Sequence, residues 1–217
     1  MQRVLLLAWS ALSTTSAACA AISGTDSQLW SELDVSHALD ASLSATGIAT
    51  ARLGDALPNP TLSALGLQLD YRLGPWTASA TGYDVRIRSA PSGLRTRIWL
   101  PAAALAYELA AGPLRFADRN RVEILEGIPG APRRYRNRAS IYCPVAGAPA
   151  AAEAFLTDEV FYDFSRQAWT RNRAQLGLQF RIAAPVRLQL FFLRQDTNYG
   201  LPRRLDVLGT TLQLDIG

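Results

Sequence analysis

In the stretch 119–138, RNRVEILEGIPGAPRRYRNR, two strand-like runs flank a Gly/Pro loop, and each carries Arg at alternate positions. Arg119, Arg121 and Glu123 share one parity in its first half, and Arg136 and Arg138 share one in its second. Glu159 and the pair Arg171 and Arg173 repeat the arrangement further along. Alternate residues of an extended chain point to the same side, so each group presents its charges together. Two kinds of chemistry are open to such groups. Carboxylates at Glu123, Glu153 and Glu159 could work as an acid and a base. Guanidiniums and carboxylates on neighbouring strands could instead pair through forked, charge-assisted hydrogen bonds, which is how charges survive away from water. The second is expected, because Arg on the neighbouring runs supplies each carboxylate with a partner.

Other reactive side chains are few. His37 is the single histidine, and Ser36 precedes it. A serine and a histidine would suit a barrel enzyme acting on lipid. Adjacent strand residues face opposite ways, however, so these two cannot pair with each other. His37 shares its parity with Leu33 and Val35 and is expected at lipid or at the interface. One histidine and one cysteine of the mature chain make no metal cluster. No catalytic residue, metal or cofactor is expected.

The charges sit on eleven alternating runs. They are Trp30 to Ala38, Ala41 to Leu53, Leu62 to Leu73, Trp76 to Ser89, Leu94 to Ala110, the Arg119 and Arg136 runs, Ala152 to Phe164, Arg171 to Ile182, Val186 to Gln195 and Leu205 to Ile216. In Arg171 to Ile182 the residues Arg171, Arg173, Gln175, Gln179 and Arg181 oppose Ala174, Leu176, Leu178, Phe180 and Ile182. The run Leu94 to Ala110 changes phase near Pro101, which reads as a bulge, since proline cannot donate a ladder hydrogen bond. Runs of about nine to thirteen residues suit a tilted span of a bilayer better than a soluble sheet. Connections alternate between tight (39–40, 74–75, 111–113, 147–149, 183–185) and longer (54–60, 90–93, 127–133, 165–169, 199–204), as short inner turns and longer outer loops would. Trp30, Trp76, Trp99, Trp169, Tyr71, Tyr83, Tyr162 and Tyr199 lie toward run ends, where interfacial girdles belong.

The pattern predicts an all-β, antiparallel, up-and-down transmembrane β-barrel of 10–12 strands, charged inside and apolar outside. Bacterial barrels usually have an even number of strands. Ten result if Trp30 to Ala38 is partial, and twelve if one run is hidden. A soluble sandwich is the alternative.

The first residues are a targeting segment. MQR is a short basic start, VLLLAWSAL is apolar but too short to span a bilayer as a helix, and small residues precede Ala20. Cleavage after Ala20 divides the chain into a signal peptide, 1–20, and a barrel domain, 21–217. It leaves Cys143 alone, so no internal disulfide is expected. A lipid-modified Cys19 is disfavoured, because Ser16-Ala17-Ala18 lacks the usual leucine. All 22 basic residues are Arg, against 18 acidic ones. They alternate through strands instead of clustering, which argues against nucleic acid.

The runs DRNRVEILEG, RRYRNRASIYCPV, DEVFYD and RNRAQLGLQF together resemble the family named domain of unknown function 2490. That resemblance implies an exported outer-membrane β-barrel with Arg-x-Arg-x-Glu and Arg-x-Arg strand motifs, here at Arg119, Arg121, Glu123, Arg136, Arg138, Glu159, Arg171 and Arg173. It implies no activity. The chain ends Asp215-Ile216-Gly217, whereas outer-membrane barrels commonly end in an aromatic residue used in assembly. A structural or narrow pore role with an Arg/Glu-lined lumen is the expected function. The expected partners are outer-membrane lipid, the barrel assembly machinery and small solutes. The other readings are the lipid-acting enzyme and a surface docking barrel.

Overall fold

The computed structural model describes residues 24–54, 61–88, 93–147, 152–199 and 202–217. The expected signal segment and Cys19 lie outside the described residues. Eleven strands close into a barrel: β1 (Thr25–Ala38), β2 (Leu43–Gly54), β3 (Leu62–Leu73), β4 (Trp76–Arg88), β5 (Arg95–Ala111), β6 (Leu114–Ile124), β7 (Arg133–Pro144), β8 (Glu153–Asp163), β9 (Ala168–Ala183), β10 (Val186–Thr197) and β11 (Arg204–Asp215).

Consecutive strands pair antiparallel. The seam is different: β1 and β11 pair parallel, from Thr25 opposite Arg204 to Ser36 opposite Asp215. Strands that alternate in direction leave the first and the eleventh pointing the same way, so an odd barrel must close with one parallel pair. Eleven lies within the expected 10–12 and matches the eleven runs of the sequence, so neither the ten-strand nor the twelve-strand adjustment is needed. The run around Trp30 is neither partial nor internal but belongs to a strand of 14 residues, paired along both edges. The C-terminus extends the seam, because the Ala38 N–H donates to the Gly217 carbonyl at 2.6 Å and the Ile216 N–H to Ser36 at 2.9 Å.

Connection lengths follow the expected alternation except around β8. Residues 145–152 join β7 to β8, a longer link than the expected turn at 147–149, and only 164–167 join β8 to β9. Asp163 tightens the second link: its Oδ1 accepts the N–H groups of Ser165 (2.8 Å) and Arg166 (3.1 Å). Gln167 completes the turn with a positive φ of 53°. The turn after β1 uses the same device, with Asp40 accepting the N–H groups of Ser42 and Leu43. Those two donors hold the Asp40 carboxyl below its ordinary pKa.

The outer wall carries a broad apolar belt. Leu65, Leu67 and Leu69 on β3, Leu176 and Leu178 on β9, Leu190 and Phe192 on β10 and Leu208 on β11 all stand exposed. Single exposed leucines are ordinary, but a broad belt is a surface for an apolar solvent. One polar strip crosses the outside of β6 to β9. There Asn120 and Asn137 donate to Asp118 at 2.6 and 2.8 Å, and Asn172 donates to Asp158 at 2.8 Å.

At the end bearing the longer loops the polarity of the wall reverses. Asp84, Arg86 and Arg97 point outward, with Arg97 Nε donating to Asp84 Oδ1 at 2.8 Å. Arg194 and Asp206 form a similar outer pair at 3.0 Å. Behind them the interior is apolar. Ala64, Val85 and Ile98 cluster with Tyr83 and Ile87, and Leu125 and Ile128 pack in from the β6–β7 loop. A second inner cluster joins Trp30, Phe191, Leu193, Leu205 and Val207. The strands outrun the apolar belt, and beyond it their outer faces are charged and paired.

This reversal removes the expected bulge at Pro101. The β4–β5 register is unbroken from Trp76 opposite Tyr107 to Arg88 opposite Arg95. The outward positions simply change character, from Arg95 and Arg97 to Ala103 and Leu105. Pro101 interrupts only the β5–β6 ladder, which resumes beyond it as the isolated Trp99–Glu126 bridge in the same register. Two expected girdle residues are also corrected. Trp30 is buried inside, its Nε1 donating to Gln28 at 2.8 Å and its ring lying 3.7 Å under the Arg52 guanidinium. Tyr83 lies inside over Gly66, where a Cβ would sit 2.4 Å from its ring. Trp76, Trp99, Trp169, Tyr71 and Tyr199 are exposed near strand ends.

The two faces of β9 give a direct test. Leu178→Arg puts a charge on the apolar belt and is expected to impair insertion by roughly 2–4 kcal/mol near the midplane. Gln179→Arg faces Glu153 inside (3.3 Å from the amide now present) and is expected to be tolerated. Heat-modifiable gel mobility of both variants after refolding into detergent reads the difference, and equal behaviour would invert the face assignment.

Candidate functional site

Strands β6, β7, β8 and β9 bring six of the eight motif residues into one ion-paired network inside the barrel. Arg136 sits at its centre: Nη1 donates to Glu123 Oε1 at 2.5 Å and Nη2 to Glu159 Oε1 at 2.7 Å. Glu123 has no exposed surface and Glu159 is 5% exposed. Glu123 also takes Arg134, whose Nε donates to Oε2 at 2.8 Å and whose Nη2 donates to the same oxygen. Arg121 Nε lies 3.1 Å from Glu123 Oε1 without a hydrogen aimed at it, an ion contact and not a hydrogen bond. Glu159 takes Arg119 at 3.4 Å and Arg173 at 3.5 Å.

The register explains why both glutamates are needed. Arg119 stands directly opposite Arg138, and Arg121 directly opposite Arg136. Like charges in those positions repel. Glu123 stands opposite Arg134, and Glu159 lies between Arg138 on β7 and Arg173 on β9. Each carboxylate therefore sits beside a like-charged pair. Arginine forks reach these diagonal partners with a fixed, planar donor set.

Two motif residues stand apart from the ion pairs. Arg138 donates to Gln175 Oε1 at 3.2 Å instead of to Glu159. Arg171 has no carboxylate partner among the described residues, and its Nε is buried without an acceptor. It joins the others through Phe161, which is 1% exposed. The guanidinium carbons of Arg136 and Arg173 lie 4.7 Å from the centre of that ring, Arg134 5.2 Å and Arg171 5.3 Å. An aromatic face attracts cations, so Phe161 supplements two carboxylates that face five guanidiniums.

Sequence reasoning missed Arg134, Arg52, Phe161 and Gln195 as members, and placed Gln175 on the face of Arg171 and Arg173 without assigning it to the network. Arg134 carries a signal, since it shares the parity of Arg136 and Arg138, but its neighbours Gly130 to Pro132 suggest a loop. Gln195 accepts from Arg173 Nε at 2.8 Å and comes from β10, whose inner face otherwise reads as ordinary strand. A smaller pair, Arg115 with Glu153 at 3.3 Å, lies nearer the tight-turn end. Ser36 faces inward to Thr46 at 2.9 Å, while His37 follows on the outward parity.

Comparison with known proteins places the chain. The family model described as Protein of unknown function (DUF2490) matches residues 27–205, and the chain belongs to that family. No curated protein matches the sequence. Among solved structures, the NanC porin is similar at 13% identity over 82% of this chain and 91% of that one, with a TM-score of 0.52. The anion-selective porin from Comamonas acidovorans shares 14% identity over 82% of this chain, with a TM-score of 0.42. This chain spans about half of that porin, 53% of its length. The likeness to the NanC porin establishes the porin-type barrel fold.

Removing one carboxylate from the network should be costly, because it strands charges that have left water. Glu123→Gln is expected to lower stability by about 3–5 kcal/mol, the usual cost of breaking a buried pair from one side. Glu153→Gln, in a half-buried pair, should cost far less. Thermal unfolding followed by circular dichroism in one detergent compares them, and equal losses would deny the network its structural role.

Proposed function

We propose that the chain is an exported outer-membrane β-barrel of the porin type, with a narrow lumen that favours anions and no enzymatic role. The observation that carries this reading is the surplus of inward guanidiniums within a wall whose outside is an apolar belt. Arg52, Arg119, Arg121, Arg134, Arg136, Arg138, Arg171 and Arg173 gather around Glu123 and Glu159, with Glu32 at the edge. A lumen with fixed positive charge attracts anions and repels cations. The family resemblance and the porin-type fold support the same setting.

A second reading is favoured by one observation. Glu123 and Phe161 are almost fully enclosed, as a packed interior would be and a water-filled channel would not. On that reading the barrel is structural and conducts little.

Cell fractionation with sequencing of the mature N-terminus tests export, and a product beginning at Ala21 in the outer membrane is expected. Planar-bilayer recording tests the pore. Small unitary currents with an anion-selective reversal potential are expected, and Glu123→Gln should strengthen that selectivity. A folded barrel that never conducts would leave the structural reading. Cation selectivity would overturn the pore reading outright.

A further inference from the structure

A cleft of about 200 Å³ opens at the loop end of the barrel between the tops of β7, β8, β9 and β10. Arg133, Arg134, Arg166, Arg171, Asp163 and Tyr199 line it. Two of the four guanidiniums already have carboxylates: Arg134 is paired with Glu123, and Arg166 Nε lies 3.6 Å from Asp163. Arg133 and Arg171 have none among the described residues. Arg171 is the deeper of the two, with its Nε buried and without an acceptor and its guanidinium against Phe161. A buried cation without a counter-charge is costly. The strands that hold Phe161 and Arg134 fix Arg171 in that position all the same. At the rim, the Arg166 guanidinium lies 5.0 Å from the centre of the Tyr199 ring, which orders the outer edge. Thr170 and Thr197 add hydroxyls to the same lining.

We infer that this cleft binds a phosphate dianion, either free or as a small phosphomonoester, with Arg171 as the floor contact and Arg133 at the rim. The charge count selects the ligand: two unpaired guanidiniums match two negative charges, and planar forks suit the oxygens of a phosphate. A monocarboxylate would leave one cation unmatched. The site deepens the porin reading by naming its solute class, but binding in detergent does not depend on whether the barrel conducts.

Titration calorimetry of the folded, detergent-solubilised protein with inorganic phosphate tests the site at a fixed chloride concentration. Saturable, one-to-one binding is expected, with acetate failing to compete. Arg171→Gln should weaken it by about tenfold or more, as loss of a charge-assisted contact does. Arg187→Gln, on β10 at the opposite end of the barrel, should leave it unchanged. If Arg171→Gln does not reach the heat-modifiable folded form, the exposed Arg133→Gln decides, with weakened binding expected. A second arm uses soluble short-chain phosphatidic acid. Binding no tighter than that of phosphate assigns the site to small solutes, and much tighter binding assigns the same phosphate chemistry to a lipid headgroup. Absence of saturable phosphate binding, or an equal effect of the two variants Arg171→Gln and Arg187→Gln, would overturn the proposal. Phosphate binding by a barrel that carries no current would sink the pore reading alone.

Discussion

Arg136 is the residue on which the interior turns. One guanidinium joins Glu123 on β6 to Glu159 on β8 across the strand between them. A barrel wall is held by backbone ladders that any sequence can make, so the ladders do not say which side chains fill the inside. The bridge does. It ties three consecutive strands toward their loop ends, where Glu123 and Phe161 are sealed from water. Ion pairs in such a place gain from a low dielectric only when geometry and hydrogen bonding are good. Here the strand register supplies the geometry, and each carboxylate collects three guanidiniums within 4.0 Å.

That demand for partners sets the layout above and below. The network occupies one side of the lumen, and two apolar clusters fill the loop end to either side of it. An apolar filling there needs no hydrogen bonds and lets the charged cluster keep its donors to itself. The outer face has the reverse problem. Within the belt it meets an apolar solvent, so polar groups there must satisfy one another, as Asp118 does with Asn120 and Asn137. Beyond the belt charges are free to point outward, and Arg97 and Arg194 do so in pairs with Asp84 and Asp206.

Much of this was legible in the sequence because a strand's period is two. The inward parity of Arg119, Arg121, Glu123, Arg136, Arg138, Glu159, Arg171 and Arg173 follows from alternation alone. So does the lipid parity of Leu176 and Leu178. Alternation does not say which face is inner once a strand leaves the belt, which is why Leu94 to Ala110 read as bulged. Nor does it carry information on what a ring does at a strand end. Trp30 and Tyr83 have the positions of girdle residues, and only the facing Arg52 and the missing side chain at Gly66 show why they turn inward. The parallel seam was hidden for a different reason: pairing partners of the first and last strands are nearly two hundred residues apart, and local pattern does not reach that far.

The odd strand count and the surplus of arginine are independent, yet they act on the same volume. Eleven strands enclose a narrow bore, in which long side chains from opposite walls meet. Fixed cations in a narrow bore cannot be diluted by water, so they have three outlets: carboxylates, aromatic faces or mobile anions. Glu123 and Glu159 satisfy the centre. Phe161 and Trp30 take the faces of Arg171, Arg173 and Arg52. An aromatic ring stabilises a guanidinium less than a carboxylate does and leaves its charge uncancelled. The residual positive charge therefore lies toward the loop end, where Arg171 and Arg133 line the cleft without carboxylate partners among the described residues. A wider barrel could have hydrated that charge, and an all-carboxylate lining could have cancelled it. This one does neither, so the arginines on that side of the interior keep a positive surplus that the strand register alone does not cancel.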